Sequence, residues 1–257
     1  MIKKIIVFLT LALLLSSCVS RKKIAYFQNI SSANIGTVNY ETRLKADDQL
    51  IIIVSSPDPR AVVDFNLSVA TIIGSTSSTL TNASPQPQYQ TYIIDNTGNI
   101  EFPIIGTIKL GGLTRAEAIK KLKTEIEKYA KDPIINLRII NFDISVYGEV
   151  VRPGTFNIAT ERITLPEVIS MAGDMTIYGN RHNVLIIRED NGQKTFNYVD
   201  MTQADFINSP YYYLTQNDQV YIEPNKTKIN SAAIGPNIAV GISALSLVIT
   251  IIALVTK

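Results

Sequence analysis

Cysteine occurs once in the 257 residues, at Cys18, and histidine once, at His182. A single cysteine excludes an internal disulfide framework and any cysteine-built metal cluster. A single histidine excludes a multi-histidine metal site, and its setting, Gly179-Asn180-Arg181-His182-Asn183, reads as a polar loop. Charge of one sign is lacking too. With Lys3 and Lys4 set aside, the 24 basic residues fall to 22 and match the 22 acidic ones, so no clustered cationic face is available for nucleic acid. The chain also lacks a Gly-rich phosphate loop, a Ser-His-Asp set and a metal-ligand run, and no cofactor or metal is expected. The paired acids Asp47 and Asp48 sit in a polar turn, which is a better account of them than a catalytic dyad. The chain reads as a non-enzyme.

What the sequence does have is an apolar run at each end. Lys3 and Lys4 precede the run from Ile5 to Leu15, which closes on Leu15-Ser16-Ser17-Cys18. A basic start, a short apolar stretch and small residues before a cut site mark a secretory signal over residues 1–17, too short to span a bilayer. The Leu-Ser-Ser-Cys ending resembles the bacterial lipobox, which implies lipidation at Cys18 and contact with membrane lipid. Val19 and Ser20 follow without an acidic retention signal, which points outward. At the other end, Ile238 to Val255 carries no charge. At about 1.5 Å per residue this run predicts a C-terminal transmembrane helix within residues 225–257. Ala239, Ser243, Ser246, Thr250 and Ala253 recur on one helical face, a seam suited either to close helix packing or to a wet lumen wall.

Between the ends the pattern predicts short strands with two helices, an α+β fold. Leu50 to Val54 is a strand, and residues 66–90, rich in Ser, Thr, Asn, Pro and Gln, form a loop or insertion in which Leu67 to Ile73 could form a strand. Asn96-Thr97-Gly98 predicts a hairpin joining Thr91–Asp95 to Asn99–Phe102. Thr114-Arg115-Ala116-Glu117 is a capping box opening a helix through Ile119, Leu122, Ile126 and Tyr129, which ends at Asp132-Pro133; strands are expected at Ile134–Ile140 and Ile144–Tyr147. Arg152-Pro153-Gly154 predicts a turn, Thr164-Leu165-Pro166-Glu167 a second capped helix that stops at Gly173, and Asp190-Asn191-Gly192 another hairpin. Tyr211-Tyr212-Tyr213 invites sugar stacking, but a strand with alternately buried and exposed rings accounts for it better. One stretch echoes another without gaps: Leu44-Lys45-Ala46-Asp47-Asp48-Gln49-Leu50-Ile51-Ile52 aligns with Leu214-Thr215-Gln216-Asn217-Asp218-Gln219-Val220-Tyr221-Ile222. In each, a polar turn feeds an apolar strand, with Asp47 or Asn217 where a left-handed backbone is tolerated.

Three of these stretches carry a family resemblance. Ala46-Asp47-Asp48, the run Asn96-Thr97-Gly98-Asn99-Ile100-Glu101-Phe102-Pro103-Ile104-Ile105-Gly106, and Gly112-Leu113-Thr114-Arg115-Ala116-Glu117-Ala118 resemble the polysaccharide export domain of outer-membrane capsule and exopolysaccharide exporters. Residues 141–224 resemble the soluble-ligand-binding β-grasp module through Val146-Tyr147-Gly148-Glu149-Val150, Arg152-Pro153-Gly154-Thr155-Phe156 and Asn217-Asp218-Gln219-Val220-Tyr221-Ile222. Where the family has glycine in two Gly-Asp turns, this chain has Asp47 and Asn217. The resemblance divides the chain into a signal (1–17), a lipid-anchored linker (18–40), an export domain (41–140), one β-grasp domain (141–224) and the C-terminal helix (225–257). It implies a ring homo-oligomer in the outer membrane, with periplasmic domains around a polysaccharide channel. It further implies contact with an inner-membrane copolymerase or tyrosine kinase. The alternatives are a membrane-anchored scaffold that forms no pore and, with little support, a lipid-anchored hydrolase.

Overall fold

The computed structural model describes residues 22, 24–34, 36, 41–69, 88–190, 192–233 and 237–255. The signal, Cys18 and residues 70–87 lie outside them. Two hydrophobic cores organise the chain, one within residues 44–137 and one within residues 142–222.

The first core is built on β1 (Gln49–Ser55), whose alternation buries Leu50, Ile52 and Val54 on one face. β2 (Ser68–Val69) and β3 (Gln88–Tyr89) pair antiparallel and form the base of the 66–90 insertion. β4 (Thr91–Ile93) and β7 (Ile134–Ile139) flank β1 antiparallel. β5 (Asn99–Phe102) and β6 (Gly106–Lys109) make a separate hairpin. The predicted hairpin across Asn96-Thr97-Gly98 is therefore corrected. The turn exists, with Asp95 Oδ1 accepting the Thr97 and Asn99 amides, but it passes the chain from one sheet to another. The paired turn is Pro103-Ile104-Ile105, where Ile104 takes φ 66°.

Helix α1 (Arg115–Ile126) starts as expected: the Thr114 hydroxyl accepts the Glu117 amide and Glu117 Oε2 accepts the Thr114 amide at 2.8 Å. It buries Ala118, Leu122 and Ile126 and packs on β7, but it ends before Tyr129, whose ring is half exposed.

The second core lies under a five-stranded sheet of order β12-β11-β14-β8-β9. Its strands are β8 (Asp143–Gly148), β9 (Gly154–Asn157), β11 (Gly179–Asp190), β12 (Gln193–Val199) and β14 (Gln219–Pro224). β8 and β14 run parallel; the other pairs are antiparallel, including the expected hairpins at 149–153 and 190–193. Helix α2 (Leu165–Met171), with its own capping box, buries Leu165, Val168 and Ile169 against Ile144, Val146, Val184, Ile186, Val220 and Ile222. A short pair, β10 (Ile163–Thr164) with β13 (Tyr213–Leu214), closes the end.

Upstream of the first core, residues 24–34 lie along the second one. The Phe27 amide donates to Met201 O and the Gln28 amide to Thr202 O, and Phe27 packs on Phe206 with ring centres 5.4 Å apart. Tyr26 donates to Asp174 at 2.6 Å beneath the Arg181 guanidinium, and burial raises its hydroxyl pKa.

The C-terminal transmembrane helix is overturned. Residues 226–233 and 237–255 form α3 (Lys226–Ala233) and α4 (Asn237–Val255), but among the described residues no helix is long and apolar enough to cross a membrane. The 19 residues of α4 rise only ~28 Å, under a ~30 Å hydrocarbon layer. Gly241, Ser243, Ser246 and Thr250 further dilute its apolar character.

Candidate functional site: the groove between two matching turns

The sequence echo is a structural repeat, one copy in each core. Asp47 at φ 67° and Asn217 at φ 63° occupy the left-handed region that their short polar side chains tolerate. Asp48 Oδ2 accepts the Lys45 amide at 2.8 Å, and Asp218 Oδ2 accepts the Thr215 amide at 2.7 Å, so each carboxylate closes its own turn. Leu44 and Leu214 enter the cores before the turns, and Leu50 and Val220 enter them after.

The chain between the cores ties the turns together. Asn141 donates to Asp47 O and accepts the Gln49 amide, while Asp143 O accepts the Asn217 amide. The turns line a cavity of about 910 Å³, with Thr97, Lys109 and Arg188 among its other walls. Two cross-core ion pairs flank the joint, Lys45 to Asp190 at 3.3 Å and Arg115 to Glu161 at 2.8 Å.

The two carboxylates differ in their surroundings. Asp218, fully buried, is gripped by Arg188 through Nε at 3.0 Å and Nη2 at 2.6 Å. Asp48 is 2 % exposed and has no guanidinium against it; desolvation pushes its pKa up to about 6. A folded-state pKa above the unfolded value means that the folded state holds the extra proton, so stability is highest below the unfolded value and falls as pH rises through about 6. We expect Asp48→Asn to flatten the stability profile between pH 4 and 6 and to melt higher than the parent at pH 7, on the order of 1–3 kcal/mol. Denaturant melts at both pH values check this, and an unchanged slope refutes it.

Other residues singled out in the sequence fall elsewhere. His182 stands on strand β11, not in a loop, with Nδ1 3.1 Å from Asp200 and 3.2 Å from the Thr202 hydroxyl. Among the described residues no group of three or more His, Cys, Asp or Glu is placed to hold a metal. Tyr211, Tyr212 and Tyr213 do not alternate: all three are half-buried, Tyr211 under Arg188 and Tyr213 under Arg162. The exposed rings of this core are Phe196, Tyr198, Tyr147 and Tyr178, and the period-two spacing of Phe196 and Tyr198 was a readable signal for the first two.

On α4, Ser243, Ser246 and Thr250 are exposed, and two of their hydroxyls turn back on their own helix: Ser246 donates to Ser243 O and Thr250 to Ser246 O, both at 2.8 Å. The side chains of Ala239 and Ala253 lie outside the described residues, as does Cys18.

The first module, with its turn, its Phe102-to-Gly106 hairpin and its capped helix, is the part of the chain with known relatives. Residues 36–140 match the family described as polysaccharide biosynthesis/export protein. Two relatives narrow this further. The chain is similar to the EPS I polysaccharide export outer membrane protein EpsA of Ralstonia solanacearum, 31% identical over 101 residues, which cover 38% of this chain and 27% of the relative. It is also similar to the protein of the same name from Ralstonia nicotianae, 31% identical over 120 residues, which cover 45% of this chain and 31% of that one. The chain thus aligns with about a third or less of either relative's length.

Proposed function

We propose that this protein serves exopolysaccharide export at the outer membrane, anchored by lipid at Cys18 with its two modules in the periplasm. The observation that carries the reading is the family match over residues 36–140, which takes in the whole first core. The working form is a homo-oligomer whose modules surround the path of the polymer, fed by an inner-membrane copolymerase or tyrosine kinase. It performs no catalysis of its own. Because the Ser246 and Thr250 hydroxyls are satisfied within α4, the seam that runs from Ala239 through Ser243 to Ala253 suits close packing between helices of neighbouring copies better than a wet wall.

A second reading is favoured by one observation, that no described helix is long and apolar enough to cross a membrane. In it the modules are a lipid-anchored periplasmic scaffold of the export system and enclose no pore.

Deleting the gene is expected to abolish surface polymer, and Cys18→Ser to release the protein from the membrane fraction and depress export. Wild-type export in the deletion strain refutes the export role; membrane retention of Cys18→Ser refutes the anchor. Sizing of the detergent-extracted protein separates the ring from a monomeric scaffold.

A further inference from the structure

The five-stranded sheet buries one face and leaves the other in solvent. Val184, Ile186 and Val220 turn into the second core, so by the two-residue alternation of strands their neighbours turn outward. The pairing registers set those outward residues in rows. Tyr198, Leu185, Tyr221 and Tyr147 stand side by side on β12, β11, β14 and β8. The next row opens with Phe196 on β12 and runs through Ile187 to Gln219, Ser145 and Thr155. Phe196 is 63% exposed, Tyr198 57% and Tyr147 36%. Tyr147 and Tyr221 lie with ring centres 5.3 Å apart, so the rings form one stripe rather than scattered singles. A contiguous stripe of this kind is costly to keep in water and marks a binding surface.

We propose that this outer face is a platform for a saccharide chain, with sugar rings stacked on Tyr147, Tyr221, Tyr198 and Phe196 and their hydroxyls bonded to Gln219, Ser145 and Thr155. The chemistry selects the class. The two rows carry no charge. Where the same strands bear charge on this face, it stands at the ends and is already engaged: Lys194 with Glu189 at 3.8 Å, Asp143 with Asn157 Nδ2 at 2.8 Å, and Glu223 with Asn183 Nδ2 at 2.8 Å. A polyphosphate backbone therefore finds no free cation in the rows. A dry protein contact would bury the Gln219 amide and the Ser145 and Thr155 hydroxyls under apolar groups, whereas a sugar answers them. Its C–H faces suit the negative faces of aromatic rings, and its rim of hydroxyls both donates and accepts. At ~4.8 Å between neighbouring strands, the row from Tyr198 to Tyr147 runs ~14 Å, long enough for more than one sugar ring. No element has to move, because the rings already stand at the surface.

The inference rests on the export reading for the identity of the polymer and adds where that polymer touches this chain. Its test titrates the full-length protein in detergent, by calorimetry, with oligosaccharides released by mild acid hydrolysis from the surface polymer of the producing cell. Saturable binding is expected. Phe196→Thr combined with Tyr198→Thr removes two rings and keeps strand-forming residues on β12; it should weaken binding about tenfold or more while the melting midpoint and the size of the extracted assembly hold. Tyr147→Thr, at the far end of the row, should weaken it as well. Absence of saturable binding to the parent protein, or undiminished affinity in the double variant, overturns the platform. So does an assembly that falls apart in the double variant while its affinity holds, since the face is then a contact between copies. The export reading fails separately, on wild-type polymer in the deletion strain; polymer lost on deletion but restored in full by the double variant, with unchanged affinity, removes the platform and leaves the export role standing.

Discussion

Arg188→Met is expected to cost the second core about 3–5 kcal/mol, a large part of the stability of a module this size. The substitution keeps the aliphatic stem but strands Asp218, which is fully buried and whose two oxygens take three contacts from the guanidinium. The turn that feeds β14 then has a naked carboxylate at its base, and β14 is the strand that joins β8 to β11. Arg188 also donates to Tyr213 O at 3.1 Å and lies 5.1 Å from the centre of the Tyr211 ring, so the β13 segment loosens with it. At several degrees per kcal/mol the thermal midpoint of this module should fall by roughly 15 °C or more, and the protein's abundance with it. Adding Asp218→Asn, which removes the charge and keeps an acceptor for the Thr215 amide, should recover most of the loss. A single mutant within ~1 kcal/mol of the parent in denaturant melts would show that the pair is dispensable.

The same pair shows where sequence reading stopped. Arg188 and Asp218 stand 30 residues apart, and nothing local distinguishes an arginine on β11 from its charged neighbours; the pairing exists only once β11 lies beside β14. What was legible is local. The capping boxes at Thr114 and Thr164, the Asp190–Gly192 hairpin and the left-handed turns at Asp47 and Asn217 each depend on residues within a few positions of one another. The gapless echo was legible too, and it led to the groove. The hairpin over 96–98 was misread for a physical reason: β4 spends its hydrogen bonds on β1, some 40 residues upstream, so a good turn signal joined two strands that do not pair. The C-terminal run has no charge and nearly the length of a span, which is why the sequence predicts a transmembrane helix there, but α4 stops at 19 residues and Gly241 and its hydroxyls lower the apolarity that a membrane requires. The docking of Tyr26 and Phe27 on the second core had no signal, since neither residue sits in a periodic pattern.

Gly148→Ala should be the most damaging of the glycine substitutions, and Gly192→Ala provides its control. Both glycines have positive φ, 96° and 76°, so a methyl group brings a similar backbone penalty of about 1 kcal/mol at each. Their surroundings differ. A Cβ at Gly192 meets nothing within 4 Å. At Gly148 it would press into the Ile222 carbonyl oxygen, closer than side chains come to backbone, with the Ile222 carbonyl carbon and Tyr221 Cε2 each at 3.0 Å. That oxygen accepts the Glu149 amide at 3.0 Å, and Gly148 is the register partner of Ile222 in the parallel pair of β8 and β14. Backbone cannot rotate aside as a side chain would, so the methyl must push the two strands apart at the end of their ladder, losing the Glu149 hydrogen bond and part of the packing of Ile222. The loss should exceed that of Gly192→Ala by about 2 kcal/mol or more. Since the two changes add the same atoms at similar φ, the difference between their denaturant midpoints isolates the collision. Equal midpoints would mean that β8 and β14 are not in contact at Gly148, and the parallel pair at the centre of the second sheet would have to be redrawn.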